Sequence, residues 1–139
     1  MSAYQLPPYA WPTAVAGVCL VSAWRGRSEA RLACGTLLLG WALSLTVVRP
    51  HADAVQLGVL AVDTAMLGPF LWIALRTRRF WPLFVVAFQL LCVATHVARA
   101  LDPGLSTWAY MSGGILWSYL VAGAIGYGAW TTDRAVVDV

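Results

Sequence analysis

The chain has very few charged residues, and one common type is missing altogether. None of its 139 residues is lysine, and charged side chains make up only 11% of the total. Soluble globular domains carry about 25% charged residues. The sequence is also 60% hydrophobic, with a mean hydropathy of +0.72. This composition excludes an ordinary soluble domain and predicts an all-α, multi-pass membrane protein with a single helical transmembrane domain over residues 1–139.

Motifs of soluble enzymes are absent as well. The chain contains no GxxxxGK[ST], no GxGxxG and no HExxH, and its predicted loops are only a few residues long. We therefore expect no enzymatic activity, no catalytic residues and no metal. The three cysteines, Cys19, Cys34 and Cys92, are odd in number and have no paired spacing, so we expect them to pack as small apolar side chains rather than form disulfides.

What the sequence does contain is a series of apolar segments separated by charges. Five can be delimited, approximately at residues 9–24, 32–48, 54–75, 80–98 and 105–131. A helix needs about 20 residues to cross about 30 Å of hydrocarbon, so the first two segments are short. Length alone leaves five or four spans open.

The arginines favour five spans. Three lie in residues 25–31, three in 76–79 and one after residue 131, whereas the opposite side has only Arg49 and Arg99. Cytoplasmic loops are rich in arginine, so this alternation predicts an outside N-terminus and a cytoplasmic C-terminus in a bacterial inner membrane. The net charge of +3 and the pI of about 9.0 then reflect topology rather than nucleic-acid binding.

Polar residues inside the spans are the candidate functional groups. Asp63 lies about nine residues into the third segment, and Gln89 and Ser118 lie at similar depth in the fourth and fifth. A mid-membrane aspartate costs about 3 kcal/mol on insertion scales, so it is expected to face the bundle interior. We predict an intramembrane polar layer of Asp63, Gln89 and Ser118, which either joins helices or moves a proton or cation.

A polar stripe follows the fourth segment. Gln89, Cys92, His96 and Arg99 are spaced by three or four residues, which places them on one helix face from mid-membrane to the outer surface, where His51 is a neighbour. Three hypotheses compete for it. The stripe is a packing seam with Arg99 reaching the headgroups, a proton path from His96 to Asp63, or a haem or pigment site with His96 as ligand and His51 opposite.

The fifth segment carries small residues at four-residue intervals, and these allow another helix to approach closely. The contact is either inside this bundle or with a partner subunit. The ladder comprises Gly114, Ser118, Ala122 and Gly126.

These features favour a small, non-catalytic accessory or scaffold subunit of a larger inner-membrane complex, of respiratory or photosynthetic type by analogy. Its expected partners are lipids and other membrane subunits, with a homo-oligomer as an open option. No cofactor is predicted, haem or a chlorophyll-type pigment being the low-ranked exception. The alternative function is a proton- or ion-coupled channel or transporter component that uses Asp63, Gln89 and His96.

Cysteine labelling at position 3 tests the topology. We expect Ala3→Cys to react with a membrane-impermeant maleimide added to the outside of intact cells, because five spans place the N-terminus there. Labelling from the cytoplasmic side alone would contradict five spans and leave four.

Overall fold

The computed structural model describes residues 9–48 and 55–131, and every regular element in these two ranges is an α-helix. The prediction of an all-α fold is confirmed. The five helices are α1 (Ala10–Arg25), α2 (Ser28–Val47), α3 (Leu57–Arg76), α4 (Trp81–Leu101) and α5 (Thr107–Thr131).

Three of the helices, α2, α3 and α4, are long and apolar enough to cross a membrane. This supports a membrane protein. The 16 residues of α1 extend about 24 Å at 1.5 Å per residue, less than the roughly 30 Å hydrocarbon layer. The 25 residues of α5 include no charge, but its many glycine, serine, tyrosine and tryptophan residues lower its mean hydropathy.

Successive helices run in opposite directions and pack side by side. The strongest contacts join α4 to α5 and α3 to α4, and α1 and α2 complete the bundle against α5 and α3. Two glycines allow close approach between helices. A methyl group at Gly128 would overlap the Trp81 indole, and one at Gly40 would overlap Met66.

The two ends of the bundle differ in charge. The turns between α1 and α2 and between α3 and α4 carry six arginines at one end, which we call the arginine end (Arg25, Arg27, Arg31, Arg76, Arg78 and Arg79). The Arg25 guanidinium lies 4.2 Å from the ring centroid of Trp130, and that of Arg76 lies 4.9 Å from Trp72. Such contacts suit the boundary between lipid and water.

The structure corrects the expectation for two of the cysteines. Cys19 and Cys34 form a disulfide between α1 and α2, with Cα atoms 5.9 Å apart. Cys19 lies six residues before the end of α1, and Cys34 six residues after the start of α2, so the helical hairpin brings them face to face. Cys92 remains a buried free thiol, as expected.

We predict that this disulfide stabilises the α1–α2 hairpin. The bond closes a loop with a sequence separation of 15, which corresponds to about 3 kcal/mol of unfolded-state entropy. Replacing both Cys19 and Cys34 by serine should lower the thermal stability in detergent accordingly, whereas Cys92→Ala keeps the bond and serves as the control.

The pairing itself is checked by a gel shift. Protein denatured without reductant should take up one polyethylene-glycol maleimide, and reduced protein three. Three adducts without reductant would show that the disulfide does not form.

Candidate functional site

The polar stripe of α4 faces the interior of the bundle. The buried side chains of this helix include Gln89, Cys92, His96 and Arg99 in succession. Gln89 is only 2% exposed, and His96 and Arg99 are each 8% exposed. Burial of so many polar groups is costly unless each is hydrogen-bonded, and so their partners define the site.

Asp63 of α3 is the main partner. Its Oδ2 lies 3.2 Å from His96 Nε2. On its other side, Gln89 Nε2 donates to Asp63 Oδ1 at 3.3 Å and to the Asp63 backbone oxygen at 3.0 Å. The carboxyl is therefore held between two side chains of the neighbouring helix.

Tyr110, in the first turn of α5, completes the network from the other side of the imidazole. Its hydroxyl is hydrogen-bonded to His96 Nδ1 at 2.7 Å, and the two rings meet edge to face. The backbone N–H of Gln56 donates to the same hydroxyl at 3.4 Å. The line of contacts thus runs from Gln56 through Tyr110 and His96 to Asp63.

The direction of proton donation along this line can reverse. With its proton on Nε2, His96 donates to Asp63 and accepts from the Tyr110 hydroxyl. With the proton on Nδ1, the imidazole instead donates to the Tyr110 hydroxyl. The roles of Tyr110 and His96 as donor and acceptor therefore depend on the tautomer of the imidazole.

The packing-seam hypothesis expects Arg99 to extend from the bundle, whereas in the structure its side chain is buried, with 8% exposed. Its Nη1 donates to the Pro103 backbone oxygen at 3.1 Å, and its Nη2 donates to Thr107 Oγ1 at 3.5 Å. The buried guanidinium therefore braces the turn between α4 and α5, one helical turn beyond His96.

The remaining predicted residues take different places. Ser118 donates to the Gly114 backbone oxygen in its own helix at 2.8 Å, so it borders the polar layer without joining Asp63 and Gln89 directly. Ala122 is buried, and the position of a Cβ on Gly126 lies 3.5 Å from Val18 of α1. The small-residue ladder is thus largely used inside this bundle. His51 lies outside the described residues.

A cavity of about 410 Å³ adjoins the network. All five helices contribute to its wall, at the end of the bundle opposite the arginine end. Asp63, Gln89, Cys92, His96 and Tyr110 form one polar corner, which we call the polar corner hereafter. The rest of the wall is mainly apolar and aromatic, and includes Trp11, Leu37, Trp41, Val59, Ile115 and Tyr119.

Beneath the cavity, towards the arginine end, most buried side chains are apolar, although the Ser22 hydroxyl and the Trp81 indole N–H are buried there without a hydrogen-bond partner among the described residues. Phe70, Ile73, Val85, Val121 and Ile125 are at most 1% exposed. Polar contacts of the polar corner extend no deeper than Gln89 among the residues that the structure describes. The site is therefore a pocket that ends inside the bundle.

A haem or pigment ligated by His96 does not fit this geometry. Both ring nitrogens already have partners, Asp63 and Tyr110, and a metal would have to displace one of them. Residues 9–48 and 55–131 contain no group of three or more His, Cys, Asp or Glu placed to hold a metal ion.

The structure also adds residues that the sequence did not indicate. Tyr110 and Gln56 lie within the predicted fifth and third apolar segments, where no spacing marks them as members of the polar network. No protein-family model, curated protein or solved structure matches the chain. The proposed function therefore rests on the cavity and the residues that line it.

A double-mutant cycle tests the Asp63–His96 contact. His96→Leu should destabilise the folded protein in detergent by about 3 kcal/mol, because a buried carboxyl loses its partner. Adding Asp63→Leu should restore part of that loss, giving a coupling energy of about 1–3 kcal/mol. Val97→Ala, next to His96 but exposed, is the control. Simple additivity of the two losses would contradict the contact.

Proposed function

We propose that this protein binds a small, lipid-soluble molecule inside the membrane, in the cavity beside Asp63, His96 and Tyr110. The observation that supports this most is a cluster of buried polar groups at one corner of a mainly apolar cavity. Ligand pockets typically measure about 300–1,000 Å³ and combine apolar walls with a few convergent polar groups. The cavity of about 410 Å³ has both properties.

A packing seam alone does not account for this arrangement. Polar side chains that only join helices are satisfied across closely packed surfaces. Here the polar residues border open space, whereas Phe70, Ile73 and Ile125 are closely packed nearer the arginine end. An intramembrane carboxyl next to a cavity is typical of a functional site.

A complete proton or ion path receives less support. The line of contacts from Tyr110 through His96 to Asp63 agrees with the second hypothesis for the stripe over a short distance only. Below Gln89, most buried side chains of the described bundle are apolar, and no contact of the polar corner continues there. We therefore propose ligand binding rather than conduction.

We further propose that the protein spans a bacterial inner membrane five times, with its N-terminus outside. The unequal number of arginines at the two ends of the bundle supports this orientation. Six arginines lie at the arginine end, whereas Arg99 is the one basic residue of the described chain near the opposite end. The positive-inside rule then puts the arginine end in the cytoplasm and the cavity in the outer half of the membrane.

The accessory-subunit hypothesis is a second proposal, compatible with the first. Ala61, Ala65 and Gly68 are exposed in succession along α3, and small residues at this spacing allow helices to approach closely. A stoichiometric second membrane polypeptide in a native purification would support it.

The binding proposal is tested by extracting the protein from native membranes in lipid discs and identifying bound small molecules by mass spectrometry. We expect one lipid-soluble compound at roughly stoichiometric amount. Gly114→Leu should remove it, because this residue lines the cavity and no atom lies within 4 Å of where its Cβ would be.

Gly123→Leu is the matched control. It makes the same change on the exposed side of α5, where again nothing lies within 4 Å, and it should retain the compound. Equal lipid content in the two variants, with no compound enriched over bulk lipid, would contradict a binding function.

A further inference from the structure

We infer that the ligand belongs to the quinone and hydroquinone class, that is, a neutral planar ring with oxygens on its edges. This inference rests on the proposed binding function and names the chemistry of its ligand. Three properties of the cavity support it: the balance of charge, the placement of hydrogen-bonding groups and the aromatic walls.

The charges around the cavity favour a neutral ligand. The charged groups on the walls or one turn away are the Asp63 carboxyl and the Arg99 guanidinium, with His96 between them. Cys92, Tyr110 and Tyr119 are the other titratable groups, and the described parts of α1 and α2 contribute none. A charged ligand would bury an uncompensated charge, which is costly in a low-dielectric interior.

The hydrogen-bonding groups lie on opposite walls. Asp63 and the Gln89 amide offer acceptor oxygens on the α3–α4 side. On the α1–α2 side, Trp11 and Trp41 line the cavity, and their indole N–H groups have no hydrogen-bond partner among the described residues. A ligand with oxygens at two edges can therefore meet both walls at once.

The aromatic walls suit a flat ring. The rings of Trp11 and Tyr119 meet edge to face with centroids 5.0 Å apart, and Trp41 lies on the same side of the cavity. Aromatic side chains pack favourably against a planar ring in offset or edge-to-face geometry. A saturated fatty alcohol is also neutral and lipid-soluble, but it has neither a ring nor a second oxygen.

The polar corner can serve both forms of such a ring. A quinone carbonyl accepts a hydrogen bond from Tyr110 or from an indole N–H. A hydroquinone hydroxyl donates to Asp63. Only binding is proposed, and no electron transfer is assigned to the protein.

The test is equilibrium binding to the full chain in lipid nanodiscs, with quenching of tryptophan fluorescence as the readout. The probes are decylubiquinone, its hydroquinone and n-decanol. We expect saturable quenching by decylubiquinone that is absent from Gly114→Leu, retained in Gly123→Leu, and not reversed by an equal concentration of n-decanol.

The Asp63→Asn substitution should affect the affinities for the quinone and the hydroquinone differently. The variant loses the carboxylate acceptor, so its affinity for the hydroquinone should fall about tenfold, which is the range of one charge-assisted hydrogen bond. This affinity is measured by competition with decylubiquinone. The quinone affinity should fall less than the hydroquinone affinity, since the carbonyl needs a donor rather than the carboxylate acceptor. Circular dichroism of the variant checks that the helices are intact.

The failures of the two proposals are distinguishable. Displacement of the quinone by n-decanol, or equal effects of Asp63→Asn on both forms, would overturn the quinone assignment while leaving a lipid-binding cavity. Quenching that is identical in Gly114→Leu and the parent protein would show that the quinone does not enter the cavity. If native extraction also yields no bound compound, the binding function itself fails.

Discussion

The bundle is organised around the need to satisfy one carboxyl group inside a membrane. Asp63 is the seventh residue of the 20-residue apolar helix α3, and a carboxyl group inside a membrane needs hydrogen-bonding partners. Two side chains of α4 supply its partners: His96 at Oδ2 and Gln89 at Oδ1. These contacts fix the rotation of α4 and its register against α3, and through Tyr110 they tie α5 to the same point. The rest of the polar corner follows from that alignment.

Alignment of the polar groups also accounts for the cavity. The second half of α4 directs its polar face into the bundle. The neighbouring helices therefore pack there against polar or short side chains of α4, instead of against leucine and phenylalanine. The opposite half packs mainly apolar side chains around Phe70 and Ile125. One half of the bundle is thus built for packing, and the other keeps open space next to hydrogen-bonding groups.

Much of the fold could be predicted from the sequence, because apolar runs end where charges begin. The five apolar segments match the five helices to within a few residues; α2 starts earlier than expected, at Ser28, since Glu29 and Arg31 can occupy a helix end at the membrane boundary. The inward face of α4 was also predictable, because a spacing of three and four residues defines one side of a helix.

Pairings between helices were not predictable in the same way. The contact of Asp63 with His96 depends on the register of α3 against α4, and this register cannot be derived from a single sequence. The role of Tyr110 depends on where α5 begins relative to α4. The Cys19–Cys34 bond has no signature in the sequence, because it depends on the α1–α2 turn, which brings together two positions 15 residues apart. The cavity is the space that all these contacts leave, and it has no sequence signal of its own.

The most direct measurement of the central claim is an experimental structure of the protein purified with its native lipids, at a resolution that shows bound molecules. The account predicts density for one planar molecule in the cavity, within hydrogen-bonding distance of Asp63, His96 or Tyr110. A cavity closed by side chains, or one in which Asp63 and His96 are apart and face lipid, would contradict it.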